Sequence, residues 1–200
     1  MDEATDGSGG SKAPRGAVRA RMVEGAVRLL ATKGMEGTSF AEVLEATGSP
    51  RGSVYHHFPD GKPELIHAAL DLASERGLAA MEATRGQPAA AVIGRFLALW
   101  RALLAYSQLT AGCAVVAVTV AAGDDDLLGH AGAIFRTWTE LLTELCVVGG
   151  VDQISARRLA ITVISATEGV VAVCRAERSM EPFEDVEAVL LSLVDGSGAT

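Results

Sequence analysis

Apolar residues recur every three or four positions along most of the chain, which is the spacing of amphipathic α-helices. Between residues 15 and 33, Val18, Met22, Ala26 and Leu29 form one such apolar face. The same spacing predicts further helices over residues 40–46, 50–57, 62–78, 88–106, 113–120, 125–145, 153–178 and from 182 onward. No convincing strand pattern interrupts this series, so the expected fold class is all-α.

Two short helices are predicted next to each other near the N-terminus. Ser39 followed by Glu42 is a capping box that starts the first of them, and Gly48 is suited to end it. Ser49 is a good N-cap and Pro50 fits the first helical position of the second. Two short helices joined by a tight turn that contains glycine are typical of a helix-turn-helix.

The second of these helices has a thin, polar face. Arg51, Gly52, Ser53, Tyr55 and His56 supply it. A glycine inside a helix costs about 1 kcal/mol relative to alanine, which makes sense where a backbone must approach another molecule closely. The hydroxyls and the imidazole can contact phosphates, and an arginine can read a guanine edge. The pattern therefore favours a helix that enters the major groove of DNA.

The charge distribution agrees with DNA contact through one end of the molecule. The net charge of the chain is −8, yet residues 12–62 carry eight basic and five acidic side chains. Lys62 stands at the start of a helix, where its positive charge is unfavourable to the helix dipole. A lysine at this position makes sense if it binds a phosphate.

Two segments of this region resemble the signature of the tetracycline-repressor family. They are Thr-Ser-Phe-Ala-Glu-Val at residues 38–43 and Thr-Gly-Ser-Pro-Arg-Gly-Ser-Val-Tyr-His-His-Phe-Pro-Asp-Gly-Lys at 47–62, within a match over about residues 17–66. Gly-Cys-Ala-Val-Val at 112–116 is similar to the LmrA/YxaF-like branch. The resemblance implies a homodimer on a palindromic DNA operator. It also implies DNA contacts from Thr38, Ser49, Arg51, Gly52, Ser53, Tyr55, His56, His57 and Lys62.

The expected organisation has two domains after a disordered tail at residues 1–14. Residues 15–61 would form the helix-turn-helix domain, and 62–200 a ligand-binding and dimerisation domain whose first helix, 62–78, is the connector. Residues 159–174 are apolar nearly all round, which predicts burial on more than one side. A last stripe of Phe183, Val186, Leu190 and Leu193 also needs a covering surface, so the last two long helices should pair with their copies in a four-helix bundle.

A small-molecule pocket is expected in the second domain. Its candidate residues are Phe96, Trp100, Leu103, Phe135, Trp138 and Glu168. The four aromatic candidates, together with Tyr106, are five of the nine aromatic residues in the chain. Such a concentration of aromatic side chains fits either an ordinary core or a pocket wall. Glu168 lies in an apolar run, so it needs a partner such as an arginine in the dimer seam, or it serves as a polar anchor for a ligand.

Other kinds of site are not expected. Cys113, Cys146 and Cys174 lie far apart and are interpreted as reduced core thiols. His56 and His57 point about 100° apart on a helix and do not chelate a metal together. The acidic run 124–126 is interpreted as a helix N-terminus rather than a cation site. No catalytic or cofactor motif is present, which predicts a protein that is not an enzyme and needs no cofactor.

The sequence predicts a cytoplasmic repressor that a small apolar or aromatic ligand releases from DNA. No signal peptide is visible, and the longest uncharged apolar stretch, 111–123, is too short to cross a membrane. Two alternatives stay open. One is a helical small-molecule-binding protein or enzyme that does not bind DNA, and the other is a constitutive or activating DNA-binding protein without a ligand.

Overall fold

A computed structural model describes residues 15–197, so the tail expected at 1–14 lies outside the described residues. Within 15–197 the chain forms helices and loops, with no strand. The helices are α1 (Arg15–Lys33), α2 (Phe40–Thr47), a 3₁₀ turn (Arg51–Ser53) that runs into α3 (Val54–His57), α4 (Lys62–Glu82), α5 (Ala89–Tyr106), α6 (Ala114–Ala121), α7 (Asp125–Val148), α8 (Gln153–Glu177) and α9 (Glu181–Ser197). The all-α prediction is confirmed.

Local capping explains why the helices begin and end where they do. The side chain of Ser39 accepts a hydrogen bond from the Glu42 backbone N–H at 3.2 Å, as the capping box predicts. Gly48 ends α2 in the left-handed conformation, with φ of 61°. The carboxylate of Asp124 accepts from the Asp126 N–H at 2.8 Å, which agrees with the acidic run being a helix start.

The start of the second motif helix differs from the prediction. Pro50 has ψ of 134°, so it is extended and precedes the 3₁₀ turn instead of occupying the first helical position. Ser49 does not cap that turn; its Oγ lies 2.9 Å from the Thr47 hydroxyl. The reason is physical: proline fixes only φ, and its ψ remains free to be extended.

Helix α4 lies between the N-terminal helices and the rest of the molecule. It packs on α1 and also on α7. Leu65, Ile66, Ala69 and Leu70 are fully buried along it. We call residues 15–61 the head and α5–α9 the body; α4 belongs to the core of both. It extends to Glu82, beyond the predicted end at 78.

Polar pairs also hold α4 against α7. His67 Nε2 lies 2.9 Å from Asp126 Oδ2, and His130 Nε2 lies 2.9 Å from Asp71 Oδ1. Each helix thus contributes one imidazole and one carboxylate, four residues apart, and the two rings meet edge to face at 4.7 Å. Both pairs connect α4 with α7. Within residues 15–197 no three histidine, cysteine or acidic side chains are grouped to hold a metal ion.

In the body, α7 and α8 are joined by the short loop 149–152, and α9 packs on α8 and α5. Here the predicted role of the last apolar stripe is partly wrong. Phe183 and Leu190 are 1% and 2% exposed and belong to the core of their own chain. Arg101 of α5 lies over the Phe183 ring at 5.4 Å. The chain itself covers most of this face, so no second copy is needed to bury it.

Helices α5 and α8 are long and apolar enough, by composition alone, to cross a bilayer. The 111–123 stretch considered in the sequence is therefore not the only apolar segment of interest. Both helices pack against other helices, which accounts for part of their apolar residues, while Ile161 and Val173 of α8 remain exposed.

We expect Gly149→Ala to destabilise the protein by about 1–3 kcal/mol, because overpacking strains a close contact. The Gly149 carbonyl accepts from the Ala89 N–H at 3.1 Å. A Cβ at Gly149 would lie 2.5 Å from that same nitrogen, which is a backbone atom and cannot move aside. Denaturant unfolding followed by circular dichroism measures the effect.

Gly129→Ala is the matched control on the same helix. A Cβ there meets nothing within 4 Å, so this change should be neutral or stabilise α7 by about 0.5–1 kcal/mol. Equal stability of the two variants would contradict the tight approach between α7 and the start of α5.

Candidate nucleic-acid interface and cavities

The 3₁₀ turn and α3 present one side to solvent and bury the other. Val54 and Phe58 are 2% and 0% exposed and anchor the segment in the head. Tyr55, between them, is 71% exposed, and its ring meets Phe40 edge to face at 5.7 Å. Arg51, Gly52 and His56 are exposed as well. The segment therefore displays a polar surface that a firm apolar base supports.

Three more of the predicted contact residues lie at the edge of this surface. Ser53 is half-buried, and its hydroxyl donates to the Pro50 carbonyl at 2.6 Å. His57 is half-buried, with its ring 5.4 Å from that of His56. Lys62 donates from Nζ to the Met35 carbonyl at 2.8 Å, so its charge is held at the loop between α1 and α2.

Two of the predicted contact residues are not on the surface. Thr38 is fully buried, and its hydroxyl donates to the Gly34 carbonyl at 2.8 Å. Ser49 is 7% exposed. From these buried positions the two side chains do not reach DNA as expected. Their hydroxyls satisfy polar groups in the loops on either side of α2, because a buried hydroxyl needs a local partner.

A partly open cavity of about 310 Å³ lies between the head and the body. Four predicted pocket residues line it: Phe96, Trp100, Leu103 and Trp138. The remaining lining residues are Val27, Ala31, Ala73, Arg76, Gly77, Ala80, Met81, Leu99, Gly112, Cys113, Ala114 and Val115. We call this the apolar cavity, since hydrocarbon and aromatic side chains make up nearly all of its wall.

Sequence reasoning missed the contribution of α1 and α4 to this cavity. Val27 and Ala31 of α1 look like ordinary members of an apolar helix face, and small residues such as Gly77 gave no signal. Gly77 matters because a Cβ there would lie 3.4 Å from the indole of Trp138. The Trp138 Nε1 atom is buried and lacks a hydrogen-bond partner among the described residues.

The other predicted pocket residues lie elsewhere. Phe135 and Glu168 line a separate cavity of about 340 Å³ between α6, α7 and α8, which we call the acidic cavity. Its other lining residues are Val116, Thr119, Thr139, Ile161, Ile164 and Ser165. The Phe135 and Trp138 rings meet edge to face at 5.7 Å, one on each cavity. Tyr106 is 93% exposed, so its predicted place in a core or pocket wall is wrong.

Glu168 is a largely buried carboxyl group. Burial raises its pKa to about 7, although the Cys113 thiol donates a hydrogen bond to it. No lysine or arginine among the described residues forms an ion pair with it, in contrast to the paired carboxylates on the surface. The same burial and the Glu168 charge raise the pKa of Cys113 well above its ordinary value. A thiol with a raised pKa is unreactive, which agrees with a structural cysteine.

Two family profiles match the chain in the regions just described. Residues 22–69 match the profile of bacterial regulatory proteins of the tetR family. Residues 88–189 match that of the LmrA/YxaF-like transcriptional regulator C-terminal domain. The chain belongs to the tetR family.

Individual relatives agree with this assignment. An uncharacterised HTH-type transcriptional regulator of Mycobacterium tuberculosis, Rv0196, is 31% identical over 183 residues, covering 88% of this chain and 93% of the relative. The HTH-type transcriptional repressor AcnR of Corynebacterium glutamicum is 36% identical over 75 residues, covering 34% and 39% of the two chains.

Solved structures of tetR-family proteins have the same fold as this chain. The regulatory protein TetR from Rhodobacter sphaeroides superposes with a TM-score of 0.79 over 88% of this chain and 98% of the other, at 18% identity. The tetR-family chain is therefore a DNA-binding transcriptional regulator and not an enzyme. The alternative of a helical protein without DNA binding is set aside.

Proposed function

We propose that this tetR-family regulator is a cytoplasmic repressor that binds a palindromic operator as a homodimer and is released by a small apolar or aromatic ligand. The observation that carries the proposal is that the apolar cavity is lined both by the body and by α1 of the head. A ligand there would touch the unit that contacts DNA. The relative AcnR is a transcriptional repressor, which supports repression as the direction of regulation.

The DNA contacts are assigned to the exposed side of the 3₁₀ turn and α3. Arg51, Tyr55 and His56 are the exposed donors, and Gly52 lets the backbone approach the groove. Ser53, His57 and Lys62 are placed at the rim of the contact. Thr38 and Ser49 support the fold of this unit and contribute no side-chain contact.

Dimerisation is assigned to the outer face of α8 and α9. Ile161, Val173 and Val189 are apolar, yet they are 44%, 42% and 59% exposed. Near them on α8 stand the exposed small residues Gly169 and Ala172, which would let a second helix approach closely. A two-fold pair through this face would place two heads on one side, as a palindrome requires.

The coupling between ligand and DNA is assigned to the boundary between head and body. The Gly112 N–H donates to the Ala31 carbonyl at 2.8 Å, and both residues line the apolar cavity. A ligand that changes the shape of the cavity would shift α1 relative to α5 and α6. By linkage, DNA and ligand then weaken each other by one common factor, typically 5–150-fold. A cavity of ligand size favours this function over a constitutive DNA-binding protein.

Arg51→Ala should weaken binding to the operator by about 1–3 kcal/mol and reduce its salt dependence, because a charged donor to DNA is lost. Tyr55→Phe should weaken it less. Fluorescence anisotropy with DNA from the regulator's own upstream region, at several salt concentrations, measures both effects.

Arg95→Ala removes the same charge from an exposed site on α5 and is the control. If Arg51→Ala and Arg95→Ala bind DNA equally well at every salt concentration, the assigned surface is wrong.

Val189→Glu should convert the dimer to monomers without loss of helix content, because Val189 is 59% exposed in one chain and takes no part in its core. Leu190→Glu, in contrast, would place a charge in that core and unfold the protein. Sedimentation velocity and circular dichroism separate the two results.

Leu128→Glu, a 42% exposed position at the start of α7, is the matched control and should stay dimeric. A stable monomer of the unmodified chain would contradict the proposed dimer.

Ala80→Leu should fill part of the apolar cavity and weaken binding of its ligand at least about tenfold, while operator binding is kept. Trp100 and Trp138 are the chain's two tryptophans and both line this cavity, so their fluorescence reports binding in a compound screen.

Ala79→Leu, at the exposed neighbouring position, is the control and should respond like the unmodified protein. Compounds that quench the tryptophans yet leave operator affinity unchanged would refute the proposed coupling.

A further inference from the structure

The acidic cavity differs from the apolar cavity in its chemistry. Phe135, Ile161 and Ile164 give it an apolar wall, and Glu168 adds a carboxyl group to that wall. No lysine, arginine or histidine lines it. The two cavities are separated by the Phe135–Trp138 ring pair and by α6, so they are two compartments and not one.

Two of the three hydroxyl groups in the acidic cavity have already used their protons in hydrogen bonds. The Thr119 hydroxyl donates to the Val115 carbonyl at 2.8 Å, and the Thr139 hydroxyl donates to the Phe135 carbonyl at 2.8 Å, so each of them can only accept a further bond. The third hydroxyl, that of Ser165, can donate as well as accept. Among residues 15–197, Glu168 is the only ionisable side chain in the lining, and its negative charge favours a cation over an anion.

The charge of Glu168 is not compensated within the described part of the chain. Burial raises its pKa to about 7, and the hydrogen bond from the Cys113 thiol does not offset this effect. Lys33, Glu36 and Arg175 line a neighbouring groove on the other side of Glu168. Lys33 is already paired with Glu42, and Arg175 donates to the Thr32 carbonyl at 3.4 Å.

We propose that the acidic cavity is a second ligand site, which binds a small organic cation with the Glu168 carboxylate as counter-ion and the Phe135 ring as a cation–π surface. A cation over an aromatic ring is attracted within about 6 Å of its centre, and more strongly where water is excluded. The volume of about 340 Å³ suits a quaternary or protonated amine of moderate size.

This site deepens the proposed ligand-sensing function and rests on it for its regulatory effect. Cys113 lines the apolar cavity and also donates to Glu168, so a bound cation would alter a residue shared by both compartments. Binding of the cation itself needs no DNA, and the two effects are therefore measured separately.

The test uses phenyltrimethylammonium, whose charge does not depend on pH, and tert-butylbenzene, a neutral molecule of the same shape. Calorimetry on the full chain without DNA should show at least about tenfold tighter binding of the cation at high pH. Its affinity should also rise about tenfold from about pH 6 to about pH 8, because Glu168 must release its proton before it acts as counter-ion. Operator binding is then followed by anisotropy with and without the cation.

Glu168→Gln should abolish both the preference for the cation and the pH dependence. Glu177→Gln removes the same charge from an exposed position on the same helix and should change neither. Equal affinity for the two molecules, no measurable binding of the cation, or an unchanged pH profile in Glu168→Gln would overturn the proposal. Weaker dimerisation of Glu168→Gln without cation binding would also overturn it, and would assign an arginine of a second copy as the counter-ion.

If the cation binds as expected but operator affinity is unchanged, the site stands and only its link to repression fails. If apolar compounds release DNA while the cation does not bind, the proposed function stands without this second site.

Discussion

Helix α4 has to be buried on two sides at once, against α1 of the head and against α7 of the body. Its fully buried residues, such as Leu65 and Leu70, leave little freedom to slide without opening one core or the other. The His67–Asp126 and His130–Asp71 pairs add polar contacts to the same helix. The position of the head is thus set by packing along one shared helix.

The two cavities differ in what they offer a ligand. The apolar cavity would bind a ligand through burial of hydrocarbon surface, an interaction that does not depend on direction. The acidic cavity holds a carboxyl group whose pKa is raised to about 7, so its charge changes in the range where cells operate. The Phe135 and Trp138 rings are in contact, and each lines one of the two cavities. A regulator built in this way has room to distinguish ligands by polarity as well as by size.

Much of the fold could be predicted from the sequence because helix ends are decided locally. Ser39 and Asp124 accept hydrogen bonds from backbone N–H groups at helix starts, and Gly48 ends a helix. The spacing of apolar residues predicted the helices between these ends. What periodicity does not reveal is the partner of an apolar face. Leu190 looked like a surface for a second copy, yet α5 and α8 of the same chain cover it.

The site was harder to predict than the fold for a related reason. Phe135 and Trp138 are three residues apart, which separates them by about 60° around α7, so their rings touch and yet line different cavities. Thr38 has a side chain that suits phosphate contact, but its burial is a tertiary property that no local pattern shows. Val27 and Ala31 were missed because a cavity wall and a packed core use the same residue types.

The presence of Val27 and Ala31 in the wall of the apolar cavity limits how freely heads can be exchanged between relatives. Exchange of residues 15–61 as one block would carry Val27 and Ala31, and therefore part of this cavity's wall, from one protein into another. Exchange of α2 and α3 alone needs two junctions, one between α1 and α2 and one between α3 and α4, and leaves the wall of the apolar cavity unchanged. Under the proposed function, these two junctions are where the operator preference is separated from the effector preference.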